Sequence, residues 1–118
     1  WKAVPHTQVQ LDALLPDTLD ISPIDLYVIL GNTLDNALVA CQLLPEDRRW
    51  LHIKLRYRGK TFFYQTENPK MAGAQTKKSG SRHGYGLKNI RRSVKKYSGQ
   101  VVIEETDERY ILTIRMNG

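Results

Sequence analysis

The chain has 118 residues, of which 41% are apolar and 25% are charged, as is typical of one small globular domain. The sequence contains no uninterrupted apolar run of the ~20 residues that a membrane-spanning helix needs. Its single cysteine, Cys41, excludes a disulfide within the chain and a zinc site built from several cysteines. The net charge of +6 is uneven: residues 1–47 carry one base and seven acids, and residues 48–118 carry seventeen bases and five acids. This basic excess favours nucleic acid, an anionic membrane surface or a phosphorylated small molecule as partner.

The chain begins at Trp1, with neither an initiator Met nor a signal peptide, so we expect a fragment of a longer cytoplasmic protein. The pattern of apolar residues predicts a strand over 7–15, a helix over 23–44, a hairpin over 50–66, a helix from after Gly86 to about 98 and a hairpin over 100–116.

The first helix has the clearest boundaries, because Ser22 suits the N-cap, Pro23 suits the first helical position and Pro45 prevents continuation. At about 100° per residue, one apolar stripe is predicted to face the core. Its members are Leu26, Leu30, Leu34, Ala37, Cys41 and Leu44.

This order of elements predicts an α+β fold in one domain, residues 1–118, with two helices on one face of a mostly antiparallel sheet. Residues 69–83 show no periodicity and are small, polar and basic. A loop of this length inside a small domain is typical of a lid or a binding loop.

Two asparagines of the first helix, Asn32 and Asn36, are four residues apart and therefore share one face. Their neighbours on that face are largely apolar, so it does not resemble a solvated surface. Carboxamide oxygens can ligate a hard cation, and carboxamide NH₂ groups can meet phosphate. The same pattern also suits surface asparagines covered by a partner.

Two further segments have the composition of ligand sites. Gly84 and Gly86 precede the second helix, where free backbone N–H groups attract anions, although a plain helix start explains them equally well. A polar side chain in Glu67-Asn68-Pro69 can recognise a base edge, and turn chemistry also explains this segment. His6 and His52 are isolated, and no serine, cysteine or paired-carboxylate arrangement indicates a hydrolase.

Three segments resemble, in order, motifs of the GHKL ATPases. Residues 29–37 (Ile-Leu-Gly-Asn-Thr-Leu-Asp-Asn-Ala) are similar to the N box in its histidine-kinase form, Asn-x-x-x-Asn-Ala. Residues 83–90 (His-Gly-Tyr-Gly-Leu-Lys-Asn-Ile) resemble the G2 box, and Glu67-Asn68 stands where the G1 box belongs. The resemblance is strongest to the catalytic domain of sensor histidine kinases of the peptide-pheromone quorum-sensing type.

The resemblance implies a Bergerat fold, a helical layer on a mixed sheet, that binds ATP and Mg²⁺ between the N-box helix and the lid. By position, Asn36 would ligate Mg²⁺ and Asn32 would assist at the phosphates. Asn68 would read adenine, with Glu67 beside it. His83, Gly84, Tyr85, Gly86, Leu87 and Lys88 would form the phosphate-contacting G2 segment.

Hydrolysing GHKL enzymes carry a glutamate base where Asn32 stands, so the resemblance implies phosphotransfer rather than hydrolysis. The implied acceptor is a histidine on a separate dimerisation domain, and a response regulator follows downstream. The domain would be the cytoplasmic part of a membrane-anchored bacterial sensor kinase, in contact with neither nucleic acid nor membrane.

One departure is the G1 box, which lacks the usual Asp-x-Gly-x-Gly. Two alternatives therefore stand beside the kinase hypothesis. One is a basic nucleic-acid-binding module built on residues 54–96 and the aromatic residues of the first hairpin. The other is a nucleotide-binding pseudo-kinase that acts as an interaction domain.

Overall fold

The computed structural model describes residues 7–70 and 81–117, with the backbone alone over 81–86. His6 and most of the predicted lid therefore lie outside the described residues. The helices and strands, in chain order, are β1 (Gln8–Leu14), α1 (Pro23–Gln42), β2 (Trp50–Arg58), β3 (Thr61–Pro69), α2 (Ser81–Lys95), β4 (Gln100–Glu105) and β5 (Arg109–Asn117).

The five strands form one sheet in the order β1-β2-β3-β5-β4. β1 runs parallel to β2, and the other neighbouring pairs are antiparallel. α1 packs on β2 and β3, α2 packs on β4 and β5, and the two helices contact each other. The predicted α+β class is confirmed: two helices cover one face of a mixed, mostly antiparallel sheet.

The hairpin between β2 and β3 has a two-residue turn, since Arg58 pairs with Thr61 across it. Gly59 in that turn has a φ of 63°, which an L-residue with a side chain rarely adopts. β3 continues beyond the predicted end at Thr66 to Pro69, because its last residues still pair with β5.

The predicted core stripe is confirmed at Ala37, Cys41 and Leu44, which are buried, but in the first half of α1 the buried face is turned by about one residue. Ile29, Thr33, Ala37 and Cys41 are fully buried, whereas Leu26, Leu30 and Leu34 are only half-buried. The prediction counted apolar residues, and Thr33 is polar, yet its hydroxyl donates to the Ile29 carbonyl oxygen at 2.8 Å and contacts the Tyr64 hydroxyl at 2.5 Å. A buried threonine satisfied in this way can occupy the centre of a core face.

α1 is long and apolar enough, by length and composition, to cross a membrane. In the fold it serves as the central core helix, with one face packed on the sheet. Its start is as predicted, because the Ser22 Oγ accepts a hydrogen bond from the Ile24 N–H at 3.3 Å.

A polar network joins the start of α1 to the end of α2. The carboxylate of Asp25, which is buried, accepts hydrogen bonds from the Tyr97 hydroxyl at 2.6 Å and from the Lys96 Nζ at 3.0 Å. The Tyr97 hydroxyl in turn accepts from the Ser22 N–H at 2.9 Å. The hydrogen bond from Tyr97, followed by that from Lys96, holds the pKa of Asp25 below its ordinary 3.8.

This network predicts a pH dependence of stability. Because the pKa of Asp25 is lowered in the folded state, its contribution is fully present above the ordinary value of 3.8 and is lost as the pH falls through the lowered value. We expect Asp25→Asn to be less stable than the wild type near neutral pH, and the difference to vanish at low pH. Urea unfolding from about pH 7 down to about pH 1, well below the ordinary pKa of an aspartate, measures this difference.

Asp35→Asn is the matched control, since Asp35 is an exposed aspartate on the same helix. It should follow the wild-type curve. A difference between Asp25→Asn and the wild type that stays constant across this pH range would contradict the charged role of the network.

Candidate functional site

α1 and β3 run in the same direction. Each turn of the helix therefore lies above a definite part of the strand. Thr33 contacts Tyr64 in the first half of β3. Two turns later, the Cys41 Sγ donates to the backbone oxygen of Trp50 at 3.5 Å. Trp50 begins β2, which pairs antiparallel with β3, so it lies beside the end of β3. The second half of α1 therefore stands over the end of β3, where Asn68 lies.

Asn32 and Asn36 lie on the flank of α1 that faces away from β2. On the opposite flank, Leu34 and Leu38 pack with Leu51 of β2. At 3.6 residues per turn the two asparagines are roughly 160° from these leucines. They therefore point toward the side of α1 on which β5 and α2 lie, and both are half-buried.

The Asn32 carboxamide has a defined orientation. Its Nδ2 donates to the Val28 carbonyl oxygen of the preceding turn at 2.8 Å. The hydrogen-bond pattern thereby directs the amide nitrogen to the helix backbone and leaves Oδ1 as the acceptor that Asn32 offers to the site. An oxygen acceptor suits a cation or a water molecule, while the second N–H of the carboxamide is still a donor.

Asn68 is the most unusual polar residue of the site. It is 1% exposed, and its Nδ2 donates to the Pro69 carbonyl oxygen at 2.9 Å. Its Oδ1 is buried and has no hydrogen-bond partner among the described residues. Leaving a buried acceptor unpaired costs about 1–3 kcal/mol, so this oxygen requires an explanation.

Tyr110 of β5 is the cross-strand partner of Asn68 and extends the floor of the site. Burial raises the pKa of Tyr110 to about 12, with the Glu105 carboxylate adding to the rise and the Arg91 guanidinium opposing it. Arg91 of α2 is thus close enough to influence this hydroxyl. Tyr110 was not among the site residues predicted from the sequence, although its position in an alternating strand could have indicated a buried ring.

Glu67 is not brought together with Asn68. Neighbouring residues of a strand face opposite sides of the sheet, and Glu67 lies on the side away from the helices. There its Oε2 accepts a hydrogen bond from the Arg109 guanidinium at 3.1 Å. Of the two residues at the predicted G1 position, only Asn68 lies on the helix side.

The G2 segment differs from its predicted conformation, because α2 begins at Ser81 instead of after Gly86. His83, Gly84, Tyr85 and Gly86 are therefore helical, Leu87 packs against the core, and Lys88 is exposed. Only the first four N–H groups of a helix are free of internal hydrogen bonds. The backbone of residues 85–87 is consequently engaged within α2.

Lys70 was predicted to be one of the basic residues of the lid, but its side chain forms an ion pair with Glu105 of β4. It is 8% exposed, and its Nζ donates to the Glu105 Oε2 at 2.8 Å. Its backbone N–H donates to the Glu108 carbonyl oxygen at 3.0 Å. These contacts fasten the end of β3 to the turn between β4 and β5.

The aromatic residues of the first hairpin do not form the base-stacking surface that a nucleic-acid-binding module would need. Phe62 and Tyr64 are 1% and 0% exposed and belong to the core, and Tyr57 packs against it. Phe63 lies on the far side of the sheet, and the rings of Trp50 and His52 lie on that side too, in contact with each other at 4.6 Å and about 13–20 Å along β2 from Phe63. The structure therefore does not favour this alternative.

No group of three or more His, Cys, Asp or Glu side chains suited to a metal ion occurs within residues 7–70 and 81–117. A cation in this part of the chain would be held by few protein ligands, chiefly the carboxamide oxygens of α1. Carboxamide oxygens are hard ligands that suit Mg²⁺, and Mg²⁺ commonly keeps water and substrate phosphates as its other ligands.

Several solved structures have the same fold. The histidine kinase AdeS of Acinetobacter baumannii is 16% identical, with a TM-score of 0.72 over 95% of this chain and 54% of its own. The catalytic domain of histidine kinase ThkA is 13% identical, with a TM-score of 0.74 over 95% of this chain and 80% of its own. The histidine kinase domain of the blue-light activated kinase EL346 of Erythrobacter litoralis is 17% identical, with a TM-score of 0.67 over 97% and 52%.

The chain thus spans about half the length of the AdeS and EL346 chains. At these identities the likeness shows the fold alone, and no curated protein matches the chain in sequence. The sequence model of the GHKL domain, in contrast, matches residues 21–117, which is most of the chain. This protein therefore belongs to the GHKL domain family, and its fold is that of histidine kinase catalytic domains.

Proposed function

We propose that this domain binds Mg-ATP in the space bounded by α1, the end of β3 and the start of α2. In the whole kinase it then delivers the γ-phosphoryl group to a histidine on a separate dimerisation domain. Family membership supports the nucleotide. The observation that carries the proposal is the buried Oδ1 of Asn68, which has no partner in the part of the chain that the structure describes and therefore suits a ligand that donates a hydrogen bond at the end of β3.

Adenine fits this requirement. Asn68 uses one Nδ2 hydrogen on the Pro69 carbonyl oxygen, and its Oδ1 is an acceptor with no partner within residues 7–70 and 81–117, as an aspartate oxygen there would be. The exocyclic N6 amine of adenine is a donor, whereas the corresponding O6 of guanine is an acceptor that this oxygen would repel. Asn68 can thus accept a hydrogen bond from the adenine amine, as the missing aspartate would, without a negative charge.

The carboxamides of α1 fit the metal. Asn32 offers Oδ1 because its nitrogen is engaged, and Asn36, one turn later on the same flank, offers a second carboxamide oxygen. When bound, Mg²⁺ would neutralise the charge of the phosphate groups. We assign Asn36 as a direct ligand, and Asn32 as an acceptor for water on the ion, which refines its expected role at the phosphates.

Neither asparagine can remove a proton from water, since a carboxamide has no basic form near neutral pH. The arrangement therefore supports transfer of the phosphoryl group to a nucleophile that a partner brings.

The N-terminal turns of α2 include Gly84 and Gly86, and each glycine costs a helix about 1 kcal/mol relative to alanine. We infer that this part of α2 unwinds when its backbone contacts the phosphates.

The wider setting is part of the same proposal. The partners would be the histidine-bearing domain of the same kinase and a response regulator. The domain would lie on the cytoplasmic side of a membrane-anchored sensor kinase of the peptide-pheromone type. The degenerate G1 position, where Asn68 replaces aspartate and no glycines follow, supports that subtype.

The first test concerns the metal. Asn36→Ala removes a carboxamide oxygen from an already half-buried helix flank, so the fold should persist while the Mg²⁺-dependent part of ATP-analogue binding disappears. Thermal shift with a non-hydrolysable analogue, with and without Mg²⁺, measures this. Phosphotransfer to the separately supplied dimerisation domain should fall by about 100-fold or more.

Gln42→Ala is the matched control, because Gln42 is an exposed carboxamide at the end of the same helix. It should leave binding and transfer unchanged. An unchanged melting temperature of the wild type at millimolar Mg-ATP would refute nucleotide binding, and binding without transfer would identify the pseudo-kinase.

The second test concerns the base. Asn68→Leu keeps the side-chain volume and removes the acceptor, so affinity for ATP should fall by about tenfold, which corresponds to one lost buried hydrogen bond. Affinity for inorganic tripolyphosphate should not change, since that ligand has no base. Competition calorimetry with ATP, GTP and tripolyphosphate separates the two effects.

Asn68→Asp restores the family's usual acceptor and should retain the preference for ATP over GTP. Equal loss of ATP and tripolyphosphate binding in Asn68→Leu would instead mean that Asn68 supports the fold of the site and does not read the base.

A further inference from the structure

The face of the sheet that the helices leave uncovered carries a compact group of cations around one aromatic ring. We call this group the basic sheet face. It consists of Lys54, Arg56 and Arg58 of β2, Phe63 of β3 and Arg115 of β5. It lies on the opposite side of the sheet from Asn68, so it is separate from the proposed nucleotide site.

The strand register places Phe63 at the centre of the group. Phe63 pairs with Arg56 on one side and with Arg115 on the other. The Arg115 guanidinium carbon is 5.7 Å from the centre of the phenyl ring, which is cation–π distance. The ring is half-buried and therefore forms a floor that does not project into solvent.

Two adjoining grooves share this ring. The larger, of about 380 Å³, is lined by Phe63, the three cations of β2, Tyr57 and Leu14. The smaller, of about 310 Å³, continues from Phe63 across β5 to β4 and includes Arg115. Together they form an open trough that crosses all five strands, with cations on its β2 and β5 sides and the Glu104 carboxylate on β4.

The charges of the basic sheet face are only partly compensated. The Arg56 guanidinium is paired with the Asp12 carboxylate at 2.7 Å. Lys54 lies opposite Asp12 in the register, and both Lys54 and Arg58 are exposed and make no ion pair within residues 7–70 and 81–117. Arg115 is exposed above the ring. The larger groove therefore suits an occupant that is anionic and that also brings apolar surface to Phe63.

Other anionic occupants fit less well. A single nucleic-acid strand needs a succession of exposed stacking rings. The other rings on this side of the sheet, Trp50 and His52, contact each other at 4.6 Å at the start of β2, about 13–20 Å along the strand from the partner of Phe63, and the Arg109 guanidinium lies 6.0 Å from the Trp50 ring. A bilayer needs apolar side chains that protrude into the headgroup region, and Phe63 is instead recessed between arginines.

We propose that the basic sheet face is a docking site for an acidic, extended segment of a partner protein. Lys54 and Arg58 are four residues apart on one strand, about 13 Å, with Phe63 beside their midpoint. An extended peptide with acids at positions i and i+4 spans the same distance. An apolar residue at i+2 then faces the ring, because alternate side chains share one side.

A peptide centred on Glu-Ser-Leu-Ser-Glu has this pattern and serves as the probe, labelled for fluorescence anisotropy and titrated at low salt. Lys54→Glu/Arg58→Glu should weaken its binding by at least about tenfold, and Phe63→Ser by about threefold or more. Raising the salt concentration should weaken binding to the wild type. ATP-analogue binding should be unchanged in both variants, which separates this surface from the nucleotide site.

The matched control is Arg92→Glu/Lys95→Glu, which changes the net charge equally at exposed positions of α2. It should alter peptide affinity by less than about twofold. Equal weakening by the two double variants would reduce the effect to general charge attraction and overturn the proposal. So would no binding at millimolar peptide, binding unaffected by loss of the leucine, or tighter binding of an oligothymidine strand or of phosphatidylserine vesicles.

Discussion

The hydroxyl contact between Thr33 and Tyr64 sets the rotation of α1, and the rest of the site depends on that rotation. Both residues are buried, and the Thr33 hydroxyl is also held by the Ile29 carbonyl oxygen of its own helix. A helix turned by one residue would carry Thr33 away from Tyr64 and would leave the buried Tyr64 hydroxyl without this partner, which is costly. With Thr33 above β3, Leu34 and Leu38 of α1 meet Leu51 of β2, and Asn32 and Asn36 face the opposite way.

This contact also explains where prediction from the sequence stopped. The N-cap at Ser22, the hairpins and the fold class were predictable because capping, turn and alternation signals are local. The first half of the core stripe of α1 was wrong by about one residue, since apolar periodicity gives no weight to a threonine that contacts a tyrosine 31 positions away. β3 was predicted too short for a related reason: its last residues are strand because β5 pairs with them.

In the candidate site, too, local signals were predictable from the sequence and long-range contacts were not. Asn32 and Asn36 were found from a local spacing, and Asn68 from its order among three motifs. Glu67 was grouped with Asn68 because the two are adjacent in sequence, although strand alternation sends them to opposite faces. Tyr110 was not selected, since only the register of β3 and β5 brings it beside Asn68. α2 begins earlier than its glycines indicated, which alters which N–H groups are free.

The distribution of charge bears on how such a site would hold a triphosphate. The basic excess of the second half of the chain suggested lysines and arginines around phosphate, yet several are already paired: Lys70 with Glu105, Arg109 with Glu67, and Lys96 with Asp25. Three exposed cations lie on the far side of the sheet.

The described polar groups of the site are instead mainly neutral carboxamides. Under the proposed function, these residues can contribute little charge to neutralise the phosphates, so most of that work would fall to the metal ion. Nucleotide affinity should therefore depend more steeply on Mg²⁺ than on any single lysine of the described chain.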